Sequence, residues 1–329
     1  MKRGRRAAGA LAAALVSALA LAGCTAGHAS TGRASVVAAF YPLQFVAEQV
    51  GGAEVDVQNL TPAGAEPHDL ELTTRDVLTL EEADVVLTLS GFQPALDDAL
   101  AEIDGPQVVD TVAEEDPHLA EDDETHHGAD AHSDDDHDEH SHDHDEHSHA
   151  HDDGHGHLGT DPHFWLDPSR LAAVADQVAH ALSETDPAHA ATYTANAETL
   201  KVELGELDTD FHDQLSTCSQ HVIVVSHEAF GYLAARYGFE QVGIAGLDPE
   251  NEPSPARLQQ IAQVIRAEGV RTIFTETLLS PDVAEALADE LGITVQRLDP
   301  LESLADPSAD YLSVMRANLS VLTAALECA

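Results

Sequence analysis

The chain has 329 residues and sets 60 Asp and Glu against 14 Lys and Arg, a formal charge of −46. Such an acidic surface repels nucleic acid and attracts cations. Because 43% of the residues are apolar, the chain can still bury a core in each of two domains of ordinary size.

At the N-terminus, Lys2, Arg3, Arg5 and Arg6 precede an Ala/Leu-rich run over 7–22. It is shorter than the ~20 residues a spanning helix needs, so residues 1–23 read as an export signal. The run ends in Leu-Ala-Gly-Cys, which resembles the lipobox of bacterial lipoproteins and implies lipidation of Cys24. Acyl chains there would hold the protein at the outer face of the cell membrane or in a periplasm, each buried methylene contributing about 0.8 kcal/mol. Residues 24–34 then form the lipidated cysteine and a flexible tether.

Short β-rich runs follow: SVVAAF, EVDVQNL, DVVLTLS and QVVD, separated by helical or turn segments. This alternation predicts an α/β lobe with a parallel sheet over 35–167. A segment at 116–157 interrupts it with no apolar periodicity, and reads as a disordered insertion that cannot bury enough surface to offset its ordering entropy. Within it, His137, His140, His142, His144, His147, His149, His151, His155 and His157 alternate with acidic residues. An unstructured run of this kind is expected to bind several metal ions weakly, because each ion must order the chain that wraps it.

From Pro168 the pattern turns helical. Leu171, Val174, Ala175, Val178 and Leu182 share one face; Tyr193, Ala197, Leu200, Leu204, Leu207, Phe211 and Leu215 share another. The second stripe predicts one long helix over 187–217, with Pro187 in its first turn, within a helical segment at 168–217 that joins the two halves. A second α/β lobe occupies 218–329: strands HVIVVS, QVGIAGL, RTIFTE and ITVQRL alternate with helices at 229–238, 255–268, 281–291 and 310–327. The predicted fold is therefore two α/β lobes with mainly parallel sheets, joined by a long rigid helix. Ligands of such folds bind beyond the carboxyl ends of the strands, here in the cleft between lobes. In an exported protein Cys218 and Cys328 can form a disulfide that pins the C-terminus.

Three histidines outside the run sit at strand ends or loops: His68 in AEPHDLELTTRD, His163 in DPHFWLDP and His227 in VVSHEAFGYL. Asp299 ends the strand ITVQRL in the same manner. Three imidazoles and a carboxylate form a four-coordinate set suited to Zn2+. The wide sequence gaps exclude a local zinc-finger loop, and there is no H-E-x-x-H motif of a zinc hydrolase. Asp69, Asp161, Asp167 and Glu228 lie close enough to orient imidazoles through their far nitrogens. His28, His180, His189, His212 and His221 share no motif and are assigned to surface or tether positions.

In this order the segments EPHDLELTTRD, DPHFWLDP, VVSHEAFGYL and LDPL resemble the metal-binding lipoproteins of ABC importers, specifically the zinc-specific ZnuA-type branch of the cluster A-I substrate-binding proteins. The resemblance covers about 35–329. It implies a monomeric, non-enzymatic protein that holds one Zn2+ at His68, His163 and His227 and delivers it to a membrane permease with its ATPase. Manganese-binding relatives typically carry Glu at the third position, so His227 argues for zinc. For the fourth ligand the reading favours Asp299, with Glu302, Glu66 or water as alternatives. A manganese carrier of the same family and a surface zinc store or adhesin are the competing readings, and a zinc hydrolase is a remote one.

Overall fold

The computed structural model describes residues 32–111 and 161–329; Cys24 and the histidine run lie outside the described residues. The first half comprises β1 (Ala34–Ala38), α1 (Tyr41–Gly51), β2 (Val55–Asn59), α2 (Thr74–Glu82), β3 (Val85–Thr88), α3 (Pro94–Glu102) and β4 (Gln107–Asp110). Its strands are parallel in the order β2-β1-β3-β4. Every residue of β3 is buried, whereas β2 and β4 alternate between buried or half-buried and exposed residues. That is the difference expected between a strand covered on both faces and one at a sheet edge.

Two helices follow, α4 (Pro168–Thr185) and α5 (Ala190–Leu215). Asp167 caps α4 by accepting from the backbone N–H of Ser169, with Pro168 at the first position, where its missing N–H is harmless. α5 begins three residues later than the stripe predicts. The reason is a closed turn at 186–189, in which His189 N donates to Asp186 O (3.2 Å) and the Asp186 carboxylate accepts from His189 Nδ1 and from Tyr193 Oη. Pro187 belongs to that turn. At 26 residues α5 is about 39 Å long, and its predicted apolar stripe is buried throughout.

The second half repeats the topology: β5 (Val222–Val225), α6 (Gly231–Tyr237), β6 (Glu240–Gly243), α7 (Pro255–Glu268), β7 (Thr272–Thr275), α8 (Asp282–Leu291), β8 (Thr294–Arg297) and α9 (Tyr311–Ala325). Its parallel sheet runs β6-β5-β7-β8. α7 occupies the predicted span, set by the Ser254 cap, Pro255 and a left-handed Gly269 after its last turn. One hydrophobic core extends from the first sheet through α4 and α5 to α6 and α9, and a smaller one lies between the second sheet and α7 and α8. Asp208 of α5 ties α6 to the long helix by accepting two hydrogen bonds from Arg236 (2.6 and 2.7 Å) and one from Tyr237 Oη (2.8 Å).

Cys218, just past α5, is bonded to Cys328, just past α9, across 110 residues of sequence. Gln220 N donating to Leu326 O (3.0 Å) continues the junction. The bridge restricts the unfolded chain across the whole second lobe. Replacing both cysteines by alanine is expected to lower the free energy of unfolding by about 3–5 kcal/mol in urea titrations. An unchanged midpoint would show that the bridge contributes nothing in solution.

Candidate metal centre

The connections leaving the carboxyl ends of the parallel strands carry the site. His68 follows β2, His163 lies on the chain returning from β4, His227 follows β5 and Glu302 follows β8. Their side chains are 5%, 0%, 0% and 1% exposed, so water competes little for their polar atoms. One ligand atom from each lies within 4.8 Å of all the others.

Glu302 Oε1 is the focus. It lies 2.9 Å from Nε2 of His163, 3.1 Å from Nε2 of His227 and 3.4 Å from Nε2 of His68, and the His163 and His227 Nε2 atoms are 3.3 Å apart. Tetrahedral ligands at the ~2.0–2.1 Å bond lengths of zinc stand about 3.3 Å from one another. Four of the six separations, 2.9 to 3.4 Å, are already near that spacing, and all six are within 4.8 Å.

Two imidazoles are oriented from behind. Nδ1 of His163 donates to Asp161 (2.7 Å) and Nδ1 of His227 to Glu276 (2.8 Å); both carboxylates also accept from the backbone N–H of the histidine they hold. An ionised carboxylate only accepts, so each Nδ1 carries the proton and each Nε2 is left to face Glu302. His68 is different: its Nδ1 is buried without a hydrogen-bond partner among the described residues, as is Oε2 of Glu302. The His68 ring stands edge-on to Phe92 at 4.7 Å, and Phe40, Phe92 and Trp165 form an aromatic wall behind the site.

These surroundings set the charges. Burial opposes a proton on His227, but Glu276 and Glu302 outweigh it and hold the imidazole well above its usual range. Asp161 and Glu302 likewise outweigh burial at His163 and raise it. At His68 burial prevails over Glu302 and lowers the pKa. Burial also opposes ionisation of Glu302, yet His227 and the other imidazoles keep its carboxyl well below the ordinary carboxylate range. Glu66, whose Oε1 accepts from His68 N (3.3 Å), is pushed up to about 8 by burial and by Glu302. Imidazole nitrogens and a carboxylate facing one another without water require protons or a cation between them.

Asp299 is not at the focus. Its Oδ1 accepts from Leu301 N (2.8 Å) and its Oδ2 from the Thr277 hydroxyl (3.4 Å), which consumes the carboxylate one turn short of the site. Glu302, the first alternative, stands there instead. Of the orienting candidates only Asp161 holds a ring nitrogen. Asp167 caps α4 and pairs with Arg236 (3.2 Å), Glu228 pairs with Arg257 (3.0 Å), and Asp69 is exposed and interacts with Glu250. Sequence reading passed over Glu276. Its signal was position: it ends RTIFTE just past β7, as His227 follows HVIVVS just past β5, and β5 and β7 are neighbours in the sheet.

Residues 36–325 match the family described as zinc-uptake complex component A, periplasmic. The chain belongs to this family. It is 33% identical over 299 residues to the zinc-binding protein AdcA of Streptococcus pyogenes, covering 88% of this chain and 56% of AdcA. It thus spans little more than half the length of the curated relatives it matches in that group. The high-affinity zinc uptake system protein ZnuA of Bacillus subtilis is 30% identical over 295 residues, 87% of this chain and 86% of that protein. Among solved structures, the Zn(II)-bound ZnuA-like domain of Streptococcus pneumoniae AdcA is similar with a TM-score of 0.70 and 27% identity, covering 90% of this chain and all of that one. The ZnuA-family fold, two parallel α/β lobes and a long helix, is the one described above.

In the metal-free protein, His227 is expected to keep its second proton at pH values above 6.5 at which an ordinary histidine has lost it, while His68 is expected to stay neutral below 6.5. Ring-nitrogen chemical shifts followed by NMR across pH 5–9 would check this, and equal midpoints for the two would contradict it.

Proposed function

We propose that this protein captures Zn2+ outside the cytoplasm and delivers it to an ABC permease for import, anchored to the membrane through a lipid on Cys24. The observation that carries the reading is the convergence of three buried Nε2 atoms on Glu302 Oε1 at 2.9–3.4 Å. Three imidazole nitrogens and one carboxylate oxygen within 4.8 Å of one another suit zinc. The zinc-binding names of its relatives AdcA and ZnuA support the cargo. Capture needs no covalent chemistry: the ion displaces protons from His163 and His227, and Glu302 offsets part of its charge. Glu302 in the fourth position also closes the coordination place that a zinc hydrolase leaves open to water.

The ligands in this reading are His68, His163, His227 and Glu302, with His137 to His157 as an auxiliary run that collects ions weakly. A zinc titration against a competing chelator, followed by the fluorescence of Trp165 beside His163, tests the division. The full chain and a form lacking 119–157 should each keep one tight site, and only the weaker sites should vanish with the deletion. His227→Ala should abolish the tight site in both. Loss of all tight binding on deletion would make the run the principal site and end the import reading.

The pH dependence has a definite sign. Zinc competes with protons held by His163 and His227, whose pKa values are raised in the metal-free state. Affinity should therefore fall as pH drops, beginning above the ordinary histidine value of about 6.5 and steepening below it. Affinity that is flat between pH 7.5 and 5.5 would rule out a site built from these imidazoles.

A further inference from the structure

The backbone that carries Glu302 is held in a conformation it would not adopt unaided. Leu301, fully buried, has φ 59°, the left-handed region that a side chain with a Cβ disfavours. Backbone strain of this kind persists only where the surroundings over-determine it. Here four contacts do so. Asp299 Oδ1 accepts from Leu301 N (2.8 Å). Asn318 of α9 grips Asp299 twice, its Oδ1 accepting from Asp299 N (3.0 Å) and its Nδ2 donating to Asp299 O (2.7 Å). The indole N–H of Trp165 donates to Pro300 O (2.8 Å).

The same helix also fixes the other side of the site. Tyr311 Oη donates to the backbone oxygen of Trp165 (2.6 Å), two residues beyond His163. Tyr311 and Asn318 are seven residues apart and so lie on one face of α9. One helix face therefore sets the His163 segment and the Glu302 turn in a common frame. Outside the turn, a cavity of about 390 Å3 is lined by Arg297, Asp299, Asn318 and Val321 among others. Released from Asn318, the strained turn has space to relax into. Because Glu302 is the next residue after Leu301, such relaxation would carry its carboxylate away from the three Nε2 atoms, and a ligand set tolerates only about 0.5 Å of misplacement.

We propose that Asn318 and Asp299 are positioning residues of the cation site: together they hold the strained turn that places Glu302 Oε1 among the imidazoles, and neither touches the ion. The inference rests on the metal-capture reading above.

Full-length variants would be titrated with Zn2+ against a chelator and also loaded with Co2+, whose visible absorption is strong in a four-coordinate site and weak when coordination expands. Asn318→Ala and Asp299→Ala should each weaken zinc binding by about 10- to 100-fold and diminish the Co2+ band. Asp299→Asn, which keeps an acceptor for Leu301 N, should rescue both. Wild-type affinity and an unchanged Co2+ band in the two alanine variants would overturn the proposal. So would Asp299→Asn losing as much affinity as Glu302→Gln, since Asp299 would then be a ligand. If Asn318→Ala does not fold, the Asp299 pair decides alone. Absence of a single tight site in the wild type would overturn the capture reading itself, and this inference with it.

Discussion

The rest of the molecule is arranged around one unfavourable meeting: three imidazole nitrogens and a carboxylate oxygen packed together out of water, with Glu302 Oε1 as their common neighbour. Left without positive charge between them, such groups repel and forfeit their hydration. A cation or a set of protons turns the same arrangement into an attractive one. Two further carboxylates, Asp161 and Glu276, lie behind the rings and deepen the demand for positive charge while fixing which nitrogen faces inward.

An arrangement that repels itself does not persist on a pliant scaffold. The two parallel sheets, of identical strand order, each direct their carboxyl-end connections to the site. Holding those connections in register falls to elements remote from the chemistry. α5 spans both halves through a continuous buried stripe, Asp208 clamps it to α6, and the Cys218–Cys328 bond closes the ends of α5 and α9. The aromatic wall of Phe40, Phe92 and Trp165 excludes water from one side, which strengthens every charge interaction in front of it.

The three imidazoles are not equivalent. His163 and His227 are pinned through Nδ1 and prefer to carry a proton in the absence of metal, whereas His68 Nδ1 has no partner among the described residues and the ring prefers to be neutral. Its loop is instead held by the backbone, through Gln93 Nε2 donating to Pro67 O (3.0 Å) and Gly64 N donating to Ser303 Oγ (2.8 Å). That second bond joins the His68 loop to the residue after Glu302, so these two side chains are coupled through Ser303.

The sequence by itself determined much of the frame. Short apolar runs specify strands β1 to β8, the 3.6-residue stripes specify α4 and α5, and the Ser-Pro and Gly punctuation of α7 marks both its ends, because these signals act between residues close along the chain. His68, His163 and His227 stand out in the sequence because each is an imidazole in a loop where a parallel sheet binds ligands, and the fold brings the three together. α5 starts at Ala190 and not at Pro187 because a side-chain-closed turn at 186–189 outweighs the favourable proline position. Only the tertiary structure brings Glu302, and not Asp299, beside the imidazoles. In sequence both are carboxylates following β8, and nothing nearby distinguishes them. The distinction comes from Asn318, 19 residues on, and from Trp165, 135 residues back, whose hydrogen bonds hold the turn that buries Leu301 and turns Glu302 inward. The direction of a side chain at a turn is set by the contacts that hold its backbone, and here those contacts come from parts of the chain that only folding brings together.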